Sequence, residues 1–127
     1  MTDTMKKRLI SSSIEVRENS YSPYSKFKVG ATLLAESGKI YTGCNYENAA
    51  FGAGVCAERV ALGAAISAGE RRFEAICVSG KAGITPCGIC RQALYEFGDM
   101  LVISCGADGG EVKEFRLSEL LPAGFGM

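Results

Sequence analysis

The chain has 127 residues, of which 47% are hydrophobic and 22% charged, enough apolar material and little enough length for one compact globular domain spanning residues 1–127. Fourteen Lys and Arg balance fourteen Asp and Glu, and no basic run exceeds Lys6-Lys7-Arg8, which excludes the electrostatic footprint of a protein that tracks a nucleic-acid backbone. Histidine is absent, so the commonest metal ligand and the commonest acid/base group are both excluded; a metal must sit on sulfur or carboxylate, and a general base must be another group, for which a carboxylate is the first candidate.

The N-terminus puts only Leu9 and Ile10 after its charged part before turning polar, which is no secretory h-region, and no apolar segment approaches the ~20 residues needed to span a bilayer. The expectation is a cytoplasmic protein without membrane association. In that reducing compartment six cysteines read as thiols, thiolates or metal ligands rather than disulfides.

From Asp3 to about Asn19, Met5, Leu9, Ile10, Ile14 and Val16 recur at mostly helical spacing and predict an amphipathic helix. A turn at Tyr21 to Ser25 leads into two strands, Phe27 to Ala35 and Lys39 to Cys44, joined as a hairpin across Glu36-Ser37-Gly38. Cys56 to Ala68 reads as a helix closed by Gly69; its body carries almost no polar residue, so more than one face needs cover, and a second copy of the chain is a natural source. Phe73 to Ser79 follows as a strand. Cys87 to Phe97 is a second such helix, opened by Pro86 and closed by Gly98. Strands at Met100 to Cys105 and Val112 to Arg116 and a short turn from Ser118 complete a pattern of one sheet with helices on its faces.

Chemistry concentrates in two segments, Cys56-Ala57-Glu58-Arg59 and Pro86-Cys87-Gly88-Ile89-Cys90, each at the start of a predicted helix. A C-x2-C pair puts two sulfurs on one metal, and Cys56 would supply a third. Three protein ligands leave the fourth tetrahedral position for water, as in a catalytic zinc site. Three thiolates and Zn2+ sum to one net negative charge, which opposes ionisation of that water. The two helix N-termini would offset part of it, and Arg59 would do so by hydrogen-bonding the ligand sulfurs. Cys56 and Glu58 would point about 200° apart in mid-helix, so both serve one site only if it lies over the helix end.

Other readings of these residues stand beside this one. C-x2-C alone also suits a redox pair, and Cys44, Cys77 or Cys105 could complete a four-sulfur structural site, although their apolar strand contexts suit small core residues better. Asn45 and Glu47 project alike from an extended strand end and suit a forked grip on one hydroxyl, or a solvated loop. Phe27, taken alone, reads as core. Tyr24 and Phe51 fit either a pocket wall or core packing.

C-A-E followed by P-C-x-x-C resembles the signature of the zinc nucleoside and nucleobase deaminases, with cysteine in place of the usual histidine. Together with Pro23-Tyr24-Ser25, Phe27, Val29-Gly30-Ala31, the segment from Gly43 to Asn48, Arg91-Gln92 and Leu120-Leu121-Pro122, the chain resembles the small homotetrameric cytidine deaminases from about Tyr21 to Phe125. The resemblance implies a three-layer α/β/α sandwich with a mixed five-stranded sheet and one Zn2+ per chain on Cys56, Cys87 and Cys90. It implies Glu58 as proton shuttle for deamination of cytidine or 2′-deoxycytidine, and active sites at the subunit interfaces of a homotetramer. It further implies that Asn45 and Glu47 bind the ribose 3′-hydroxyl, that Phe27 stacks on the base, that the Ala57 backbone contacts the pyrimidine, and that Phe125 approaches from a neighbouring subunit. Phe51 stands where related enzymes commonly have tyrosine. The competing expectations are a deaminase of another aminopyrimidine such as blasticidin S, a polynucleotide deaminase, and a purely structural zinc module.

Overall fold

The computed structural model describes residues 1–127. Its order is α1 (Asp3–Arg17), β1 (Val29–Ala35), β2 (Ile40–Cys44), α2 (Ala57–Ser67), β3 (Phe73–Gly80), α3 (Gly88–Tyr95), β4 (Leu101–Cys105), β5 (Lys113–Arg116) and a helical turn, α4 (Leu117–Leu120). One mixed sheet runs β2-β1-β3-β4-β5, antiparallel except for the β3–β4 pair. Parallel neighbours need a crossover, and α3 lies on the connection that makes it. The three-layer α/β/α expectation holds, with α1 on one face and α2 and α3 on the other.

Both central strands lie between helices, which is why they read as apolar runs: every residue of β1 is buried, as is every residue of β3 except Glu74. Toward α2 and α3 the core holds Ala31, Leu33, Ile76, Val78 and Val102 against Ala61, Leu62, Ala65 and Leu94. Toward α1 it holds Leu34, Ala75, Cys77, Ile103 and Cys105 against Leu9. Two strand glycines let the helices approach. A Cβ on Gly30 would meet the Ser13 carbonyl of α1 at 1.9 Å, and one on Gly43 would meet the Ala61 nitrogen of α2 at 2.5 Å.

Element ends differ from expectation by one or two residues. Cys56 and Cys87 are extended N-cap residues rather than first helical residues, and α1 ends at Arg17, with Asn19 making only a frayed bond to Val16. The first strand begins at Val29 because Lys26 turns the chain with positive φ. The predicted closing glycines, Gly69 and Gly98, both have φ +96°, the left-handed cap that glycine adopts without strain.

Register places the site. Val29 pairs with Gly80 and Gly30 with Cys44, so β1 begins where β2 and β3 end. At this edge backbone pairings of Tyr46 with Tyr21 and Val55 draw the loop before α2 against the end of β2.

Candidate active site

Cys56 precedes the first turn of α2, Cys87 precedes that of α3, and Cys90 lies within the latter. Neither N-cap cysteine makes a side-chain capping bond, so no cap hydroxyl or carboxylate competes with sulfur at these helix ends. Because Cys56 stands off the helical spiral, it and Glu58 reach one site, which was the condition their spacing imposed. The three sulfurs lie within 4.8 Å of one another. Cys56 Sγ and Cys87 Sγ are 3.8 Å apart, and ligands at the ~2.3 Å Zn–S distance of a tetrahedral site have an edge of about 3.8 Å, so the set fits zinc. Cys77 and Cys105 pack on the α1 side of the sheet, and Cys44 pairs with Gly30, which abuts α1; none joins the cluster.

Hydrogen bonding and charge around Cys56 favour its thiolate. Hydrogen bonding from Cys90 brings the Cys56 thiol down to about 5, against the opposing effect of burial and with help from Arg59 and Cys87. Arg59 Nη2 donates to Cys56 Sγ at 3.8 Å, while its buried Nε has no partner. Cys90, as donor, holds its proton harder. Glu58 is 3% exposed. Burial raises its carboxyl to about 7, reinforced by the Cys56 charge and opposed by its own backbone N–H and by Arg59.

A cavity of about 500 Å³ collects the expected residues: Phe27, Asn45, Glu47, Cys56, Ala57, Glu58 and Cys87 line it, with Val29, Ile84 and Thr85. A second, of about 570 Å³, shares Ser25, Asn45, Glu47 and Cys56 with it and is walled by Tyr24, Phe51 and Arg59. Tyr24 and Phe51 meet edge to face across 6.4 Å and are exposed, so they belong to the rim and not to the core. Phe27 is half exposed at the first cavity, against the core reading that it has in isolation. Phe125 does not line the cavity of its own chain.

Asn45 and Glu47 are braced more fully than an open fork would be. Asn45 Oδ1 accepts from Val29 N at 2.9 Å and from Ser20 Oγ, and its Nδ2 donates to Phe27 O at 2.8 Å. Glu47 Oε1 accepts from Tyr24 N at 2.9 Å and Ser25 N at 3.1 Å, and Oε2 accepts from Ser25 Oγ. One Asn45 N–H and the remaining acceptor capacity of Glu47 Oε2 are left, a donor and an acceptor suited to a single hydroxyl. The Ser25 hydroxyl bond, with the backbone bonds of Ser25 and Tyr24, holds the Glu47 carboxyl below its ordinary range. Ser20 and Ser25 are the residues that sequence reasoning missed in this role; Ser25 stood in a quoted motif, while nothing local marks Ser20.

A sequence model described as "Cytidine and deoxycytidylate deaminase zinc-binding region" matches residues 3–105. The chain belongs to the cytidine and deoxycytidylate deaminase family. It is 46% identical over 122 residues to a cytidine deaminase of Sporosarcina psychrophila, covering 93% of this chain and 89% of that protein. A crystal structure of cytidine deaminase from Burkholderia pseudomallei superposes with TM-score 0.90 at 43% identity, covering 98% of this chain and all of that one. The Mycobacterium tuberculosis enzyme gives 0.83 at 33% identity with both chains fully covered. Family and sulfur geometry agree on zinc as the cofactor. No helix is long and apolar enough to cross a membrane.

Proposed function

We propose that this chain, acting as one catalytic domain, converts cytidine and 2′-deoxycytidine with water to uridine and 2′-deoxyuridine plus ammonia, a pyrimidine salvage reaction. The observation that carries the reading is that Cys56, Cys87 and buried Glu58 share a cavity whose wall includes Asn45 and Glu47. Zinc held by Cys56, Cys87 and Cys90 supplies a Lewis acid that makes water a usable nucleophile near neutral pH. Glu58 takes a proton from the water as it attacks pyrimidine C4 and passes it to N3 as the C4–N3 double bond opens; it then carries the remaining hydroxyl proton to the exocyclic amine, which leaves as ammonia as the C4 carbonyl forms. Burial serves this exchange, because a carboxyl near 7 both accepts and releases a proton at neutral pH.

The remaining residues orient the substrate. Asn45 Nδ2 donates to the ribose 3′-hydroxyl and Glu47 Oε2 accepts from it; Phe27 stacks on the base and the Ala57 backbone meets the pyrimidine. Phe125 reaches the nucleoside from a neighbouring subunit of a homotetramer in the cytoplasm. Two observations support assembly: Gly63, Ala64 and Ser67 leave an outer side of α2 uncovered, and Tyr24, Phe51 and Phe125 are exposed. An active dilute monomer in analytical ultracentrifugation would refute it.

The test is the ultraviolet loss of cytidine, followed before and after chelation and after zinc is restored. Activity should vanish and return with the metal; no absorbance change with zinc-loaded protein overturns the function. Preference for blasticidin S over cytidine overturns the substrate, for which Asn45 and Glu47 argue. Balanced charge speaks against a polynucleotide substrate.

A further inference from the structure

Two side chains after Cys90 tie the C-terminal segment to the metal-binding helix, and the deamination chemistry leaves both without a role. The Arg91 guanidinium donates from Nε to Pro86 O at 2.7 Å, from Nη1 to Leu120 O at 2.7 Å and from Nη2 to Thr85 Oγ1 at 3.1 Å. One planar fork thus joins the loop that ends at Cys87 to the α4 turn, a geometry lysine cannot reproduce. The Gln92 amide grips the next stretch: Nε2 donates to Phe125 O at 2.9 Å and Oε1 accepts from Phe125 N at 3.2 Å.

An amide that both donates to and accepts from one residue's backbone acts as a strand partner would, fixing where that residue sits and which way its side chain leaves. Phe125 has no other source of order of this kind, since residues 122–127 form neither helix nor strand. Gly124 lies so close to α3 that a Cβ there would meet Tyr95 at 3.0 Å. Phe125 nevertheless remains 71% exposed. A terminal segment with an exposed aromatic is ordinarily mobile; here the backbone is held and the ring is presented.

We propose that Gln92 is a positioning residue for deamination: it fixes the Phe125 backbone so that the ring is preorganised for the nucleoside, and Arg91 locks that segment to the loop carrying Cys87. The proposal rests on the reading of Phe125 as a nucleoside contact. Its effect is a lower ordering cost on binding, and it therefore acts on KM rather than on the chemical step.

The test is steady-state kinetics on cytidine, with zinc content, for the full-length zinc enzyme and for Gln92→Ala, Gln92→Glu, Phe125→Ala and the Gln92→Ala/Phe125→Ala double variant. Gln92→Ala should raise KM about fivefold, the worth of one or two net hydrogen bonds, with kcat and zinc unchanged. Gln92→Glu keeps the side chain's size and one acceptor but sets a carboxylate oxygen against the Phe125 carbonyl in place of the donor, and should raise KM at least as much; it also serves if the alanine variant folds poorly. Phe125→Ala should raise KM at least as much, and the double variant no further than Phe125→Ala alone. Additive effects, or loss of zinc or kcat in Gln92→Ala at unchanged KM, overturn the positioning role. If Phe125→Ala raises KM while both Gln92 variants match wild type, the Gln92 proposal fails and the Phe125 reading stands; if Phe125→Ala changes nothing, both fall.

Discussion

Six cysteines divide evenly between the two sides of the sheet. On the α2 and α3 side, Cys56, Cys87 and Cys90 sit at helix starts, where an N-cap residue can stand off the spiral, and Arg59 donates to the Cys56 sulfur. On the α1 side, Cys44, Cys77 and Cys105 occupy strands, where register decides the direction of each side chain. The Cys105 hydrogen bond and burial push the Cys77 thiol up, and its sulfur lies 3.6 Å from Ser13 Oγ beneath α1. One residue type thus becomes ligand or packing according to the element that carries it.

The largest effect should come from exchanging the two trios. Cys90→Ala should abolish zinc binding and turnover together, whereas Cys77→Ala should keep both and cost about 1–2 kcal/mol of stability as a small cavity. Zinc analysis beside thermal melts reads this, and loss of metal from Cys77→Ala would break the contrast. Glu58→Gln comes next: turnover should fall at least about a hundredfold while zinc content and fold are kept, the signature of a lost proton carrier. Arg59→Ala should weaken zinc about tenfold in competition with a chelator or slow turnover; wild-type zinc content and rate would remove Arg59 from the charge argument.

The smallest effect concerns the cavity wall at Glu47. The Ser25 hydroxyl, with backbone N–H groups, lowers the Glu47 carboxyl in the folded protein from its ordinary 4.5. A depressed folded pKa stabilises the fold above the unfolded value and loses that contribution as pH falls through the folded one. The melting-temperature gap between wild type and Glu47→Gln should therefore be open above 4.5 and close below it. Since the Glu47 carboxylate is partly open to solvent the gap should be small, and a gap that widened toward acid pH would contradict the bracing.

Much of the site was legible because it is locally encoded. Proline before Cys87, the C-x2-C spacing, Cys56 two residues from Glu58, and Gly69 and Gly98 after their helices all act within a turn or two of chain, so spacing alone carried their geometry. The missing histidine limited the metal donors in the same direct way. Asn45 suits a grip on a hydroxyl by its spacing from Glu47, but only the structure shows that it lines the cavity and that its amide is largely engaged with Ser20, Phe27 and Val29, a use that depends on where β1 starts.

By itself, then, the sequence determined the helices and strands, the donor set, the carboxylate beside it and, through resemblance, the family. Only the tertiary structure decided that Cys56 comes within 3.8 Å of Cys87, that Cys44, Cys77 and Cys105 face α1, and that Arg91 and Gln92 hold Leu120 and Phe125. The physical reason is shared by all three. Each depends on strand register or on backbone carbonyls and amides distant in sequence, and every residue carries those same groups, so no side-chain pattern can announce which of them will meet.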